Sequence, residues 1–542
     1  MKFEKYSFEY PTPKIPYYHL RLSLTDLAGK GNHVVTGVTV DGVRSRDFDV
    51  FNDGEKVIPA VFKALAVERL ICVRIDWTKG QRHEVSVMLF DAEDKTYEVT
   101  CTAVASGEHG YWNRQWKYYA SHVLEETIGL ERVQEPVHVI LGLYSDRIQD
   151  PEAEIRVVAI HSKTGIAEEI PSQVYGVSKW EKWTDIHCQP TTTVELAFSA
   201  DVAAYEKKVF LIFYGNPEAS KPLYPSDLKI SGSGYALTVE NKFYRVSLHS
   251  ESGSIDEIVS KDASDVTFCH HLETNGTMQW NPDVYAPPKT WMHSSDWVAP
   301  EDFTVISGPV FVMVKRYNPI VDYEEVDCSI TYLFYSNNQG ISIESNIDVN
   351  KDLDVVALRN GSVVLNKETT GDFAWMGMDS RVRTVHITDM PRHPVKGMTF
   401  DARTPWYSFF NAERNNALGV LNLEFNGIRR QGGLLEWEPY FYLHWGPWFY
   451  VSRPIIYTFT SNNPQRVMHM SAGTSFHERY QLVPFTKSRQ DDGCSGFSEL
   501  DTLNRKARVP LSKLMAKFDT DTRVPDEWIP PILVSHFEEL VD

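Results

Sequence analysis

Cysteine is scarce in this sequence, and the few cysteines stand apart from one another. The 542 residues contain six of them, with no CxxC or similar spacing of metal ligands. A zinc knuckle and a dense disulfide framework are therefore excluded, and we expect neither a metal nor a cofactor. Phosphate-binding glycine loops and the GxSxG and HExxH motifs are also missing. Their absence argues against nucleotide enzymes, serine hydrolases and the common metalloproteases.

Long apolar runs and positive net charge are missing as well. The first residues, MKFEKYSFEYPTPKIPYY, lack an apolar segment of signal-peptide length, and no run approaches a membrane span. The formal net charge of −19 argues against nucleic acids and anionic membranes as partners. We expect a cytoplasmic protein without such partners, although a secretion signal already removed would leave the same sequence. The sequence carries no indication of oligomeric state.

What the chain does contain is a succession of β-type segments. Short stretches rich in Val, Ile and Phe, closed by Gly, Pro, Asp or Ser, recur over residues 83–215 and 235–485. Their spacing predicts an all-β, mainly antiparallel fold rather than βαβ units. Two other patterns, at 57–70 and 112–133, predict helical insertions. An amphipathic pattern at 498–518, SELDTLNRKARVPLSKLMAKF, predicts a helix.

The chain is too long for a single core, so we expect several domains. Residues 214–234, YGNPEASKPLYPSDLKISGSG, concentrate Pro and Gly between two strand patterns, which is typical of a boundary. We predict an N-terminal β-sandwich-like domain with helical insertions at 1–225. A large β-sandwich at 226–490 and a helical, Pro-rich and acidic tail at 491–542 would follow it.

One hairpin pattern resembles a known family. Residues 237–262, LTVENKFYRVSLHSESGSIDEIVSKD, contain an Asn, alternating aromatic and aliphatic residues, a Gly-centred turn and a second strand. This succession resembles the opening of the large sandwich in family-38 α-mannosidases and related galactose-mutarotase-like folds. The resemblance implies a galactose-mutarotase-like β-sandwich and a link to carbohydrates, as in several polysaccharide lyases and glycosidases. It does not extend to the mannosidase catalytic domain, so it implies no catalytic residue. The residues that carry it are Asn241, Phe243, Tyr244, Val246, Gly253, Ile255, Ile258 and Lys261.

Aromatic and polar side chains are concentrated at residues 275–297, NGTMQWNPDVYAPPKTWMHSSDW, where three prolines prevent an ordinary helix. A sugar site needs flat aromatic platforms beside short amide and carboxylate groups. A long ordered loop of this kind is usually functional. The alternative is a lid that covers an open end of the sandwich. The predicted substrate-binding residues are Asn275, Gln279, Trp280, Asn281, Tyr285, Trp291, Asp296 and Trp297.

A second aromatic cluster, EWEPYFYLHWGPWFYVSRPIIY, spans residues 436–457. Period-2 alternation places Tyr442 and His444 on one face of a strand, and Arg453 is a candidate for the same face beyond a turn that resets the register. A His beside a Tyr is a usable acid–base pair, whereas the alternative is a half-exposed aromatic ladder. Residues 381–430 add eight basic against four acidic residues, a local excess of cations suited to carboxylates.

These patterns favour a lyase that cleaves an acidic, uronate-containing poly- or oligosaccharide. β-Elimination needs a cation for the carboxylate, a base for the C5 proton and an acid for the leaving oxygen. We predict that the loop and the strand converge on one pocket. The predicted catalytic residues are His293, His444, Tyr442 and Arg453.

Two other functions fit the same sequence. A glycoside hydrolase needs two carboxylates, and a non-catalytic carbohydrate-binding or assembly protein needs none. No pattern in the sequence pairs two carboxylates. The candidates for such a pair are Asp296, Glu301, Glu436 and Glu438.

Overall fold

Antiparallel strands make up most of the regular structure, which confirms the all-β, mainly antiparallel class. Two α-helices occur in the part of the chain that the structure describes. The computed structural model describes the chain except residues 1, 10–17, 26–30, 54, 67–68, 76–81, 106–112, 114, 161–166, 181–189, 262–265, 269–282, 300–301, 366–368, 391–397, 429–439, 446–448, 458–466, 491–493, 524–531 and 541–542.

The elements before residue 224 are strands and one short helix. In chain order they are β1 (Lys2–Glu9), β2 (Tyr18–Thr25), β3 (His33–Val40), β4 (Val43–Ser45), β5 (Phe48–Asn52), β6 (Glu55–Lys56), β7 (Val61–Phe62), β8 (Arg69–Ile75), β9 (Arg82–Phe90), β10 (Thr96–Ala105), β11 (Tyr118–Glu125), β12 (Arg132–Tyr144), α1 (Pro151–Glu154), β13 (Arg156–Ile160), β14 (Ala167–Ile170), β15 (Ser172–Trp180), β16 (Thr191–Val202) and β17 (Lys207–Tyr214).

The later elements are again strands, with one longer helix. They are β18 (Lys229–Ser233), β19 (Ala236–Glu240), β20 (Tyr244–Leu248), β21 (Ile255–Ser260), β22 (Val266–Thr267), β23 (Asp283–Tyr285), β24 (Met292–His293), β25 (Asp302–Ser307), β26 (Phe311–Ile320), β27 (Tyr323–Tyr335), β28 (Ile341–Val349), β29 (Leu353–Val355), β30 (Ala357–Leu365), β31 (Asp372–Met376), β32 (Val382–His386), β33 (Met398–Phe400), β34 (Trp406–Phe410), β35 (Asn416–Ile428), β36 (Phe441–Trp445), β37 (Phe449–Tyr457), β38 (Met468–Met470), β39 (Thr474–Thr486), α2 (Ser498–Arg508), β40 (Ser512–Arg523) and β41 (Ile532–Leu540).

The chain divides into two compact units. The first comprises residues 1–133, 137–223 and 511–542, and the second comprises residues 134–136 and 224–510. The predicted tail at 491–542 is thus shared between the two units. Its first part forms α2, while residues 512–518, for which the sequence predicts helix, lie in β40.

The described strands of the first unit form four sheets. Their orders are β1-β2-β8-β5-β6, β4-β3-β9-β10-β41 with β7 beside β3, β14-β13-β17-β11-β40, and β12-β16-β15. The last two share a core in which Leu141 of β12 and Phe198 of β16 pack with Phe210 of β17. Phe213 of β17 belongs to a different core together with Val87 of β9. The three-stranded sheet is therefore an outer layer of this unit, with one face packed and one face turned away.

The two predicted helical insertions are wrong. Residues 57–70 contain β7 and the start of β8, and residues 112–133 contain β11 and the start of β12. β11 pairs on both sides, with β17 and β40. Both of its faces are buried, because Tyr119 packs in one core and Leu124 in another. A strand buried on both faces has a continuous apolar run that periodicity does not distinguish from a buried helix.

The second unit is a β-sandwich. Its six-stranded sheet has the order β24-β23-β30-β37-β36-β33, and its nine-stranded sheet has the order β25-β26-β27-β28-β39-β35-β34-β31-β32. Val363 and Phe449 of the first sheet share one core with Leu418 and Leu482 of the second. The five strands β18 to β22 form another antiparallel sheet in this unit.

The hairpin that resembles the mannosidase sandwich forms as its pattern predicts. β20 pairs with β21 across a turn that contains Gly253 at φ +65°. A Cβ at Gly253 would lie 2.9 Å from the ring of Phe303, so both the backbone conformation and the space require glycine. Asn241 closes the start of the hairpin, because its side-chain oxygen accepts hydrogen bonds from the backbone N–H groups of Phe243 and Tyr244.

Helix α2 packs on the nine-stranded sheet through Leu500. A Cβ at Gly419 of β35 would overlap the Leu500 side chain, so the helix approaches the strand where no side chain intervenes. The indole of Trp406 donates to Asp501 at 3.0 Å and ties the helix to β34. Neither helix in the described residues has the length and apolar content needed to cross a membrane.

Candidate functional site

One face of the six-stranded sheet gathers most of the described candidate residues. Antiparallel pairing aligns His293 of β24 with Asp283 of β23, and Asp283 with Arg359 of β30. Directly paired residues project on the same side of a sheet. Tyr442 pairs with Ser452, His444 with Tyr450, and Ser452 with Ser362. We call this side the polar face, and its members are Asp283, Tyr285, His293, Arg359, Ser362, Tyr442, His444, Tyr450 and Ser452, with Trp291 packed on it.

His293 lies between two carboxylates at one end of the polar face. Its Nδ1 is 3.1 Å from Asp296 Oδ2, and its Nε2 is 3.8 Å from Asp283 Oδ2. Asp296 is half-buried and also accepts the backbone N–H of His293 at 2.7 Å, at the start of a 3-10 turn. Asp283 is fully buried and accepts from Nε of Arg359 at 2.9 Å and from its Nη2. One carboxylate beside the imidazole is thus open to solvent, and the other is neutralised by a guanidinium.

Aromatic rings surround this ion pair. Tyr285 and Trp291, both half-buried, stack in parallel with ring centroids 5.1 Å apart. The Arg359 guanidinium lies 5.1 Å from the Trp291 ring and 5.9 Å from the ring of Tyr450, in cation–π range. The Tyr285–Trp291 stack therefore forms a platform backed by a fixed cation.

The second candidate cluster lies farther along the same face. His444 stacks on Tyr450 at 5.0 Å, and its ring is 6.1 Å from that of Tyr442. β24 and β36 are separated by three other strands, which corresponds to about 19 Å at the usual strand spacing. The prediction that His293 and His444 converge on one pocket is therefore wrong, because Asp283, Arg359 and Tyr450 lie between them.

Two serine hydroxyls complete the polar face. Ser362 and Ser452 face each other across β30 and β37, and both are almost fully buried. Within the described part of the chain, neither hydroxyl has a hydrogen-bond partner. Buried polar atoms are nearly always hydrogen-bonded in native proteins. These two hydroxyls therefore have bonding capacity left for a ligand or an ordered water.

Arg453 is a correction to the predicted site. It follows Ser452 in β37, so its side chain enters the core between the two sheets and not the polar face. There it is fully buried, donates to Glu478 at 2.6 Å and to Asn422 at 2.8 Å, and lies 4.0 Å from the ring of Phe441. A cation satisfied in this way does not bind a substrate carboxylate next to His444.

Glu478 and Asn422, two partners of Arg453, line a small cavity. The cavity measures about 10 Å³, roughly the room for one water molecule. Burial raises the pKa of the Glu478 carboxyl above its usual range, although the charge of Arg453 acts against this. The pair is a structural element of the sandwich core, since it links β37 to β39.

Trp297 is a second correction. Its indole is buried and donates to the carbonyl of Pro319 at 2.9 Å. The guanidinium of Arg316 lies 5.0 Å from the ring and donates at 2.9 Å to the carbonyl of Ser252, in the turn between β20 and β21. Trp297 therefore packs over a buried cation and is not a sugar platform.

Several predicted residues fall outside the described part of the chain. Within the described residues, no group of three His, Cys, Asp or Glu side chains is placed to hold a metal ion. The undescribed candidates are Asn275, Gln279, Trp280, Asn281, Glu301, Glu436 and Glu438.

Sequence reasoning missed the residues that join the two clusters. Arg359 lies in ALRNGSVVL, an apolar strand in which a lone Arg signals a buried partner. Asp283, its partner, is in the aromatic loop, but its pairing became visible only through the alignment of β23 with β30. Tyr450 and the two serines follow from strand register, which the sequence does not specify.

Comparison with known proteins finds distant structural matches only. No protein-family model and no curated protein matches the chain. An α-mannosidase from Enterococcus faecalis aligns with 79% of this chain and 48% of its own, at 12% identity and a TM-score of 0.46. A glycosyl hydrolase family 38 protein from the same organism aligns with 79% of this chain and 50% of its own, at 12% identity and a TM-score of 0.45. This chain spans about half the length of both.

A galactose-mutarotase-related enzyme from Lactobacillus acidophilus covers 47% of this chain with 98% of its own, at 12% identity and a TM-score of 0.27. These matches fall in the two groups of proteins that residues 237–262 resemble. Similarity this distant transfers neither an activity nor a catalytic residue to this chain.

Proposed function

We propose that this protein is a carbohydrate-active enzyme that acts on a neutral saccharide at the His293 end of the polar face, as a glycoside hydrolase. The observation that carries the proposal is the His293–Asp296 pair beside the half-buried Tyr285–Trp291 stack. In this proposal the stack binds the C–H face of a sugar. His293 transfers the proton, and Asp296 orients its imidazole and stabilises the charge that forms on it.

The substrate is proposed to be neutral because two buried arginines of this sheet, Arg359 and Arg453, are already neutralised. Arg359 is held by Asp283, and Arg453 by Glu478. Removing either guanidinium from its partner to bind a uronate would leave a buried carboxylate uncompensated, at a cost of several kcal/mol. A hydrolase also needs a second carboxylate, for which Glu301, Glu436 and Glu438 are the candidates.

β-Elimination is the second candidate function. It is favoured by the Tyr442–His444–Tyr450 cluster, which supplies an acid and a base without any carboxylate. Incubation with neutral and acidic oligosaccharides separates the two. Hydrolysis releases reducing ends without new ultraviolet absorbance, whereas elimination also creates the absorbing unsaturated uronate. Binding without either product would contradict both and favour a non-catalytic module.

Asp296→Asn tests the proposed role directly. The substitution keeps the side-chain shape but removes the charge beside His293 Nδ1, so turnover should fall by about 100-fold or more, the usual scale for a disabled acid–base group. Steady-state kinetics on the best substrate of the panel measures this. Asp302→Asn is the matched control, because Asp302 is exposed at the start of β25. Equal turnover in the two variants would contradict the assignment.

A further inference from the structure

The three-stranded sheet of the first unit turns a distinct face to solvent. Along β12, Leu141 and Leu143 are buried in the core, whereas Ile140 and Tyr144 are 71% and 39% exposed. Trp180, at the end of β15, is 56% exposed. Three large apolar side chains on one small sheet exceed the scattered exposure that is normal for a soluble surface. We call this the outer face, and its members are Ile140, Gly142, Tyr144, Ser178, Trp180, Thr191, Thr193 and Glu195.

The two aromatic rings lie on either side of a shallow floor. Trp180 pairs directly with Thr191 of the central strand β16. On the other side of β16, a Cβ at Gly142 would be 3.9 Å from the methyl group of Thr191. Tyr144 follows Gly142 by two residues on the same strand face, and the Arg147 guanidinium lies 4.9 Å from its ring. Gly142 and Thr191 thus form the bottom of a groove between the Trp180 indole and the Tyr144 ring, which Arg147 holds in place.

Polar side chains are arranged along the same groove. Ser178 pairs with Thr193, and Glu195 lies opposite Gly176. Tyr175 hydrogen-bonds Glu195, and its hydroxyl is 3.1 Å from His138 Nδ1. Burial, together with the charge of Glu195, raises the pKa of Tyr175 to about 12. The phenol therefore keeps its proton at neutral pH and fixes the carboxylate as an oriented acceptor for ligand hydroxyls.

The size of the outer face decides between a protein partner and a small ligand. Three strands are about 14 Å wide, and the exposed positions extend about 13 Å along them. This area of roughly 200 Å² is well below the ~800 Å² per partner of a stable protein interface. Aromatic platforms interleaved with hydroxyls and one carboxylate match a ligand with C–H faces and a rim of hydroxyls.

We propose that the outer face is a second, non-catalytic binding surface that holds a neutral saccharide chain. Trp180 and Tyr144 act as the platforms, the Glu195 carboxylate accepts hydrogen bonds from ligand hydroxyls, and the Thr193 hydroxyl accepts or donates them. The inference that the ligand is a saccharide rests on the proposed function. The inference that a binding surface exists depends only on the exposure and strand pairing of these residues. A site of this kind would retain a polysaccharide independently of its cleavage.

Native gel electrophoresis in the presence of soluble mannan, galactan or glucan tests the proposal on the full chain. At least one polysaccharide should retard the protein, and Trp180→Ala should weaken the apparent affinity by about 10-fold or more. Tyr144→Ala should act in the same direction. Tyr205→Ala is the matched control, since Tyr205 is an aromatic residue of the same unit, 73% exposed in the turn after β16.

Each outcome supports or overturns the binding surface. Retardation that is lost in Trp180→Ala and kept in Tyr205→Ala supports it. No retardation by any of the three polysaccharides, or equal retardation of all variants, overturns it. A dimer in sedimentation velocity that dissociates in Trp180→Ala would assign the face to a protein contact instead. The proposed catalysis is tested by a different experiment. Asp296→Asn measures turnover of a small substrate, whereas Trp180→Ala measures retention of a polymer.

Discussion

Ser452 and Arg453 are neighbours in β37, yet their side chains enter opposite environments. Ser452 faces the polar side of the sheet, and Arg453 reaches across the sandwich core to Glu478. A strand alternates with a period of two, so the assignment of one residue determines all the others in that strand. The pattern correctly groups Tyr442 with His444. The pattern does not predict which face of β37 carries Arg453, because the alignment of β37 with β36 depends on the connection between the two strands.

Glu478→Gln measures the contribution of that internal ion pair. The substitution leaves the Arg453 guanidinium buried without a counter-charge, so the free energy of unfolding should fall by about 3 kcal/mol or more. Denaturant titration measures it. Glu424→Gln is the control, because Glu424 pairs with Arg479 at 3.3 Å on the surface. This substitution should lower the free energy of unfolding by less than about 1 kcal/mol. Equal losses would mean that Glu478 is already protonated in the folded protein.

Trp291 and Trp297 show a second limit of sequence reasoning at this scale. Both lie in the same aromatic loop, six positions apart, and composition treats them alike. The difference comes from distant residues: Arg316 and Pro319 enclose Trp297, whereas Arg359 supports Trp291 from below while leaving it half-buried. The aromatic content of the loop predicts sugar platforms, but long-range contacts decide which rings are buried.

The turn between β11 and β12 is an element held together by one carboxylate. Glu126, fully buried, accepts the backbone N–H groups of Ile128, Gly129 and Leu130. Arg132 donates to it at 3.3 Å. Burial opposes the ionisation of Glu126, but the hydrogen bonds from the backbone and from Arg132 outweigh it and lower the pKa of the carboxyl.

This lowered pKa has a defined effect on stability. A carboxyl whose pKa is lower in the folded than in the unfolded chain stabilises the fold above its unfolded pKa, and that stability is lost as pH falls through the folded value. The stability that Glu126 contributes should therefore be lost progressively as pH falls below about 4.5, the ordinary pKa of Glu. The Glu126→Gln variant should be less stable than the wild type at pH 7. Its free energy of unfolding should also fall less than that of the wild type on acidification. Urea midpoints across this pH range measure both, with the exposed Glu152→Gln as control.

The sequence predicts β12, which has one buried face, as a strand, but it does not predict β11, which has two. β12 alternates between the core and solvent, and its segment is recognisable as a strand from sequence. β11 carries buried residues on both sides because two different cores meet it. Its sequence, YYASHVLE, lacks a regular alternation of apolar and polar residues and fits a helix equally well, and only the presence of β17 and β40 beside it selects the strand. The missing information lies in other parts of the chain.

The most distant of those parts lies near the end of the sequence. β40 pairs with β11, and β41 pairs with β10, so the first unit is completed by strands that follow the whole second unit. The spacing of strand patterns along the chain does not predict which strands pair. The pairing of strands this far apart in sequence depends on the sum of many cross-strand contacts.

Removal of residues 511–542 tests this arrangement at the scale of the molecule. The truncated chain should expose the edges of β10 and β11, and amide hydrogen exchange should increase in these strands. Exchange in β27, β28 and β39 of the second unit should stay unchanged, and these strands serve as the internal control. Unaltered protection of β10 and β11 would show that the pairing with β40 and β41 contributes little to the stability of the first unit.

The return of the chain into its first unit also has a consequence for biosynthesis. A ribosome delivers β1 to β17 long before β40 and β41, so two sheets of the first unit must wait, with unpaired strand edges, while the whole sandwich of the second unit is made. Translation proceeds at about 5–20 residues per second, so the wait lasts on the order of tens of seconds. The downstream sandwich is expected to fold first, and nascent chains of this protein should depend on chaperones that shield open β-edges until the last strands emerge.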